Sequence, residues 1–121
     1  MKQILVVDDS AVTRKVARRI LESMHFRTSE AEDGKAALAE CQKAMPDAVL
    51  LDWNMPEMDG YEFLTQLRQL PGGEAPKVVF CTSENEAGHI ARARHAGADE
   101  YMMKPFDQGM LRAKMQEIGL A

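Results

Sequence analysis

The stretch that decides the fold is "ILVVDDS", residues 4–10, in which four apolar residues run directly into two adjacent aspartates. A continuous apolar run of this length is typical of a strand that is buried on both faces of a parallel sheet. Burying a carboxylate costs free energy, and two neighbouring carboxylates also repel each other. Something in the fold must therefore stabilise Asp8 and Asp9 at the end of a buried strand.

Similar runs recur along the chain and predict further strands. Ala48–Leu51 and Val78–Cys81 are as apolar as the first run, whereas Arg27–Ala31 and Glu100–Lys104 are weaker and suit the edges of a sheet. Helical patterns separate the five segments. This alternation predicts an α/β fold, a doubly wound parallel sheet of five strands with five helices and right-handed crossovers.

The first predicted helix begins near Ser10, a good N-cap residue. Its apolar positions recur at helical spacing and predict one buried face. That face would consist of Val12, Val16, Ala17, Ile20, Leu21 and Met24. The fourth predicted helix, residues 85–96, offers only Ile90 as a large apolar anchor, so we expect it to be easily displaced.

The composition limits the functions to consider. The 121 residues suit one domain, residues 1–121, and a hydrophobic fraction of 45% with 28% charged residues is typical of a globular protein. A net charge of -4 does not favour nucleic-acid binding, which requires a basic surface. No apolar run has the length of a membrane span or a signal peptide, so we expect a cytoplasmic protein without a membrane partner.

Polar side chains follow four of the five predicted strands. Asp8 and Asp9 follow the first, Asp52 the third, Thr82 the fourth and Lys104 the fifth. In an open parallel sheet, functional side chains gather beyond the carboxyl ends of the strands. If the first and third strands are neighbours, three carboxylates meet there. A Mg²⁺ ion would relieve their repulsion, because it prefers carboxylate and water oxygens.

This arrangement suits phosphoryl transfer. The Asp52 carboxylate could attack phosphorus and form an acyl phosphate. Lys104 could contact a phosphate oxygen, and the Thr82 hydroxyl could donate to another. Lys104 precedes Pro105, so this peptide bond is a candidate for the cis form. The alternative, that Asp8 and Asp9 only cap the first helix, would leave the matching positions of Asp52 and Lys104 unexplained.

Four motifs in this order resemble the CheY-like receiver domain of two-component response regulators. They are "VVDDS", "LLDWNMPEMDGYEFL", "CTSEN" and "GADEYMMKPF", and together they extend from the first strand to the last. The resemblance implies the flavodoxin-like strand order 2-1-3-4-5.

The resemblance also implies roles for individual residues. Asp52 would be the phosphoacceptor, and Asp8, Asp9, Asp52 and the backbone carbonyl of Asn54 would hold Mg²⁺, Asp8 through a water. Thr82 and Lys104 would be the switch hydroxyl and the phosphate-binding cation. Tyr101 would be the switch aromatic. Asn54 and Glu84 would tune the lifetime of the phosphoryl group.

The resulting expectation is a single-domain response regulator. It would receive phosphate from a sensor histidine kinase or a histidine phosphotransfer protein and control an unknown protein target through helix 4, strand 5 and helix 5. It would be a switch that phosphorylates and dephosphorylates itself rather than an enzyme in the usual sense. Alternatives are a phosphorelay intermediate, the receiver part of a longer regulator, or, less favoured, a small Mg²⁺-dependent phosphohydrolase.

Two further expectations concern the surface near these motifs. Trp53, which follows Asp52, is expected to be a partly exposed loop side chain rather than a stacking platform. The basic stretch Arg14–Arg19 is expected to be a solvated helix face. By resemblance, the same helix is where a histidine-containing partner would dock.

Overall fold

The computed structural model describes residues 1–83 and 87–121, except the side chains of residues 87 and 89. Strands and helices alternate along these residues. The strands are β1 (Gln3–Val7), β2 (Arg27–Ala31), β3 (Ala48–Asp52), β4 (Lys77–Thr82) and β5 (Glu100–Met103). The helices are α1 (Ala11–Ser23), α2 (Gly34–Lys43), α3 (Gly60–Gln69), α4 (Ala87–His95) and α5 (Gln108–Glu117).

The five strands form one parallel sheet in the order β2-β1-β3-β4-β5. This confirms the doubly wound α/β fold and the flavodoxin-like order. The register pairs Val7 with Leu51, so the ends of β1 and β3 lie side by side. Glu84, expected to tune the phosphoryl lifetime, and the predicted start of the fourth helix at residue 85 lie outside the described residues.

Two apolar clusters cover the two faces of the sheet. One joins β-strand residues such as Leu5 and Leu51 to Phe63, Leu64 and Leu67 of α3. The other packs alternate strand residues, including Ile4 and Leu50, against α1 and α5. Because each buried side chain of this size stabilises the fold by about 1.5–3 kcal/mol, the strands form a rigid support for whatever their ends carry.

Helix starts are fixed by short polar side chains. The Ser10 hydroxyl accepts a hydrogen bond from the Thr13 amide at 3.3 Å, as expected for an N-cap. Asp33, Asp59 and Asp107 cap α2, α3 and α5 in the same way. Ser10, and neither preceding aspartate, is thus the residue that caps α1.

The expectation that Val12 and Val16 belong to the buried face of α1 is wrong. Val12 is 73% exposed and Val16 is 44% exposed, whereas Ala17 and Leu21 are fully buried. The two valines line a groove of about 430 Å³ against Pro105 and other residues of the loop between β5 and α5, instead of packing on the sheet. None of the described helices is both long and apolar enough to cross a membrane.

Candidate functional site

The acidic residues at the strand ends lie close together because β1 and β3 are neighbours. Asp8, directly after β1, is 3% exposed, and Asp52, the last residue of β3, is 6% exposed. Asp9 is exposed at the mouth of the same site. Each of the three can offer one carboxylate oxygen so that all three oxygens lie within 4.8 Å of one another.

Lys104 links the two buried carboxylates. Its ammonium Nζ lies 2.6 Å from Asp8 Oδ2 and 3.1 Å from Asp52 Oδ1. Its backbone amide donates to the Thr82 carbonyl at 2.9 Å, which ties the end of β5 to the end of β4. The Lys104–Pro105 peptide bond is cis. The lysine therefore points into the site from a backbone position that neighbouring strands determine.

The electrostatic environment of Asp52 differs from that of an ordinary carboxyl. Burial raises its pKa to about 6, and the charge on Asp8 acts in the same direction, while Lys104 opposes both. Burial alone would lower the pKa of Lys104, but the hydrogen bond to Asp8 and the charge on Asp52 raise it above its usual value. One ammonium group thus faces two carboxylates, and the site retains excess negative charge.

That excess charge and the oxygen donors fit a hard divalent cation. Mg²⁺ typically takes one or two carboxylates and keeps several waters. Asp8, Asp9 and Asp52 supply carboxylate oxygens at a suitable separation. Asn54 lies two residues beyond Asp52 in the exposed loop that leads to α3. The donor set therefore fits the expected Mg²⁺ ion.

The other expected site residues lie on β4 and β5. Thr82 ends β4 and is 4% exposed. Tyr101 is half-buried on β5, opposite Phe80 of β4. The Lys114 ammonium of α5 lies 5.8 Å from the centre of the Tyr101 ring. Thr82 and Tyr101 thus belong to β4 and β5, the strands that connect the site with α4 and α5.

Trp53 is buried, so the expectation of a partly exposed side chain is wrong. Its exposed fraction is 6%, and its ring centre lies 4.9 Å from that of Phe80 and 6.2 Å from that of Tyr61. The Arg92 guanidinium of α4 lies 4.6 Å from the Tyr61 ring centre and 5.8 Å from that of Trp53. The aromatic side chain next to Asp52 thus contacts α4, which the local sequence did not indicate.

Arg14 is a second residue whose place near the site the sequence did not reveal. Its Nη1 donates to the backbone carbonyl of Asp8 at 2.6 Å, and its Nε donates to Glu30 Oε1 at 2.7 Å. We expected the basic stretch of α1 to be a solvated face. Arg14 lies in the first turn of α1, six residues after Asp8, which is outside the i,i+3 and i,i+4 spacing of helix neighbours, so the local sequence did not indicate this contact.

Comparisons with known proteins agree with this architecture. The profile described as "Response regulator receiver domain" matches residues 4–116. Chemotaxis protein CheY-3 of Vibrio cholerae is 35% identical over 117 residues, which cover 96% of this chain and 90% of that protein.

The KDP operon transcriptional regulatory protein KdpE of Escherichia coli is 37% identical over 116 residues, which cover 96% of this chain and 50% of KdpE. The solved structure of the chemotaxis response regulator CheY4 of Vibrio cholerae is 30% identical, with a TM-score of 0.93 and coverage of 98% of both chains. This chain therefore belongs to the response regulator receiver domain family, the CheY-like signalling domains of two-component systems.

Proposed function

We propose that this receiver domain acts as a response regulator that accepts a phosphoryl group on Asp52 from a phosphohistidine donor, in a Mg²⁺-dependent reaction. One observation carries this proposal: the Lys104 ammonium lies between the carboxylates of Asp8 and Asp52, with Asp9 beside them. A buried carboxylate beside a cation and further acidic ligands suits acyl phosphate formation better than any structural role. A cytoplasmic location is part of this proposal.

The chain's own residues would divide the chemistry among them. A carboxylate oxygen of Asp52 attacks phosphorus, and the bond from phosphorus to the donor nitrogen or oxygen breaks. Lys104 then balances charge on the phosphoryl oxygens, to which the Thr82 hydroxyl can also donate. Bound Mg²⁺ would neutralise the charge that develops on the transferring group. Asp8, Asp9 and the Asn54 carbonyl would hold that ion together with Asp52.

Loss of the phosphoryl group would use the same site. Water attacks phosphorus, and the Asp52 carboxylate leaves. Asn54 is exposed and lies two residues after Asp52, and we assign it, with Glu84, the tuning of this rate. Substitution of Asn54 should change the dephosphorylation rate without changing the stability of the Mg²⁺-free protein.

The direct test is phosphorylation by a small donor. Incubation with acetyl phosphate and Mg²⁺ should add the mass of one phosphoryl group, which intact-protein mass spectrometry detects. The adduct should be absent in Asp52→Asn and without Mg²⁺. Asp59→Asn is the matched control, because Asp59 lies on the adjacent loop and asparagine caps α3 as well as aspartate does. An adduct that persists in Asp52→Asn would overturn the proposal.

The donor protein would dock on the exposed side of α1. Val12 and Val16 line the groove that leads to Lys104, and exposed apolar side chains beside a site are typical of protein contacts. Val16→Glu should therefore slow phosphotransfer from a phosphohistidine protein while leaving acetyl phosphate, which needs no docking, as effective as before. Equal slowing with both donors would contradict this role.

The signal would leave through α4, β5 and α5. A groove of about 700 Å³ lies along β5 and α5, and its lining includes Tyr101, Met103, Met110 and Lys114. Phosphorylation of Asp52 adds charge and acceptor oxygens that Thr82 could approach, and Tyr101 could then occupy the space that Thr82 leaves. NMR spectra of the beryllofluoride-loaded protein should show their largest changes on this face. Spectral changes confined to the loop after Asp52 would refute this output surface.

A further inference from the structure

The backbone of Asp8 is held on both sides of its Cα atom. The Asp8 amide donates to the carbonyl of Ala31, the last residue of β2, at 3.2 Å. On the other side, the Asp8 carbonyl accepts from Arg14 Nη1 at 2.6 Å. That carbonyl belongs to the planar peptide group that joins Asp8 to Asp9, so its orientation sets the direction in which the chain presents Asp9.

The two carboxylates differ in how their own side chains are restrained. Asp8 accepts hydrogen bonds from the Ser10 amide at 2.9 Å and from Lys104 at 2.6 Å. Within the described residues, the Asp9 carboxylate makes no hydrogen bond or ion pair. The position of Asp9 therefore depends on its backbone, and so on the groups that hold the preceding peptide.

Arg14 is itself held firmly. Its side chain is 13% exposed, and its Nε donates to Glu30 at 2.7 Å. The guanidinium is planar and rigid, so an ion pair through Nε directs Nη1 towards the Asp8 carbonyl. Glu30 accepts from Arg18 as well, and these two arginines hold the pKa of Glu30 below its usual range. The anchor is consequently an ionised carboxylate on the edge strand β2.

From this geometry we propose that Arg14 is a positioning residue for the Mg²⁺ site, orienting Asp9 through the Asp8 carbonyl and the Glu30 ion pair. This inference rests on the proposed function only in requiring that the site bind Mg²⁺. The groups that orient metal ligands typically change metal affinity by about 10–100-fold when they are removed. Because Arg14 acts through the backbone, we expect Arg14→Gln to weaken Mg²⁺ binding by about 10-fold, the lower end of that range.

Arg18 is the matched control. It pairs with the same Glu30 and also with Glu22 on α1, but among the described residues it makes no hydrogen bond to Asp8. Arg18→Gln removes the same charge from the same helix and should leave Mg²⁺ affinity within about twofold of the wild type, as expected for exposed charges in salt. The comparison separates positioning of Asp9 from general loss of the ion-pair cluster.

The experiment is a Mg²⁺ titration of the full chain. Two signals report binding: the fluorescence of Trp53, the single tryptophan of the chain, and the rise in melting temperature with Mg²⁺ concentration. Arg14→Lys keeps the charge but lacks the planar fork, so its Mg²⁺ affinity should lie between those of the wild type and Arg14→Gln. Far-UV circular dichroism checks folding. If Arg14→Gln does not fold, Glu30→Gln removes the anchor instead and should weaken Mg²⁺ binding by about threefold.

The outcomes separate the two proposals. Weaker binding in Arg14→Gln with unchanged binding in Arg18→Gln supports the positioning role. Unchanged or tighter binding in Arg14→Gln overturns it, since tighter binding would mean that Arg14 acts only as a repelling charge. Equal weakening in both variants also overturns it. Absence of Mg²⁺ binding by the wild type would overturn the metal site itself, and the positioning role with it.

Discussion

Replacing Asp52 with asparagine should stabilise the Mg²⁺-free protein at neutral pH. The substitution keeps the shape of the side chain and an oxygen that can accept from Lys104, now at 3.1 Å from Asp52 Oδ1. It removes one of two buried carboxylates that share a single ammonium group. Lys104 and Asp8 would remain as a balanced pair at 2.6 Å.

The expected size of the effect follows from the titration of Asp52. Its pKa is about 6 in the folded protein against an ordinary value of 3.8. That difference corresponds to at most about 3 kcal/mol. Solvent at the mouth of the site screens the charge, so we expect a gain of about 1–2 kcal/mol in the free energy of unfolding.

The sign of the pH dependence is fixed by the raised pKa. Because the folded state binds a proton more tightly at Asp52 than the unfolded state does, this group destabilises the fold as pH rises from about 4 to about 6. The advantage of Asp52→Asn should therefore be full above about pH 6.5 and should disappear near about pH 4.

Urea unfolding in the presence of a chelator measures this difference across that pH range. Asp9→Asn is the control, because the exposed Asp9 carboxylate stays hydrated and its removal should give a smaller gain. Addition of Mg²⁺ should reduce or reverse the advantage of Asp52→Asn, since only the wild type has the full ligand set. The reasoning is refuted if Asp52→Asn is no more stable than the wild type at about pH 7.5, or if its gain does not depend on pH.

Four further substitutions test the packing around the site and along α4, each by urea unfolding. Arg92→Gln and Tyr61→Leu, made singly and together, should give a coupling free energy of about 0.5–1 kcal/mol, and additive effects would mean that the cation–π contact contributes nothing. Gly60→Ala should cost more than about 2 kcal/mol, because its Cβ would lie 2.4 Å from the Asp52 carbonyl oxygen, and a smaller loss would contradict the close approach. Gly88→Ala, on α4 with open space around the added Cβ, should instead stabilise by about 0.5–1 kcal/mol, and a loss would indicate a contact there.

The sheet could be predicted from sequence because its strands are nearly uniform in character. Ile4–Val7, Ala48–Leu51 and Val78–Cys81 are buried on both faces, so composition alone marks them as central strands. The polar residues that end them must then meet at one edge, whichever helices cover the faces. For this reason the grouping of Asp8, Asp52 and Lys104 followed from the positions of the strand ends, while the strand order required the family resemblance.

The residues whose environments were not predicted lie in loops and first helical turns beyond that edge. Val12 and Val16 have the spacing of a buried helical face, but the loop after β5 leaves a groove there instead of closing over them. Trp53 has the sequence position of a loop residue, yet Phe80 and Tyr61 bury it. The burial of such residues depends on which segments, distant in sequence, pack at the carboxyl edge of the sheet. Local hydrophobic periodicity does not contain that information.

The way α4 is held indicates how a change at Asp52 would move it. At its C-terminal end, Arg68 of α3 donates to the Gly97 carbonyl at 2.6 Å and to the Pro76 carbonyl at 2.8 Å, which fixes the turn before β5 to the opposite end of the sheet from the site. Along its length, α4 contacts the aromatic side chains through Ala93, which is 3% exposed and belongs to the same apolar cluster as Trp53, and through Arg92, whose cation–π contact contributes about 0.5–2 kcal/mol. A helix that is tied by hydrogen bonds just beyond its C-terminal end, and held elsewhere among the described residues by small apolar and cation–π contacts, should pivot about the tied end rather than slide. The largest displacement would then occur next to Thr82, where a phosphoryl group on Asp52 would act.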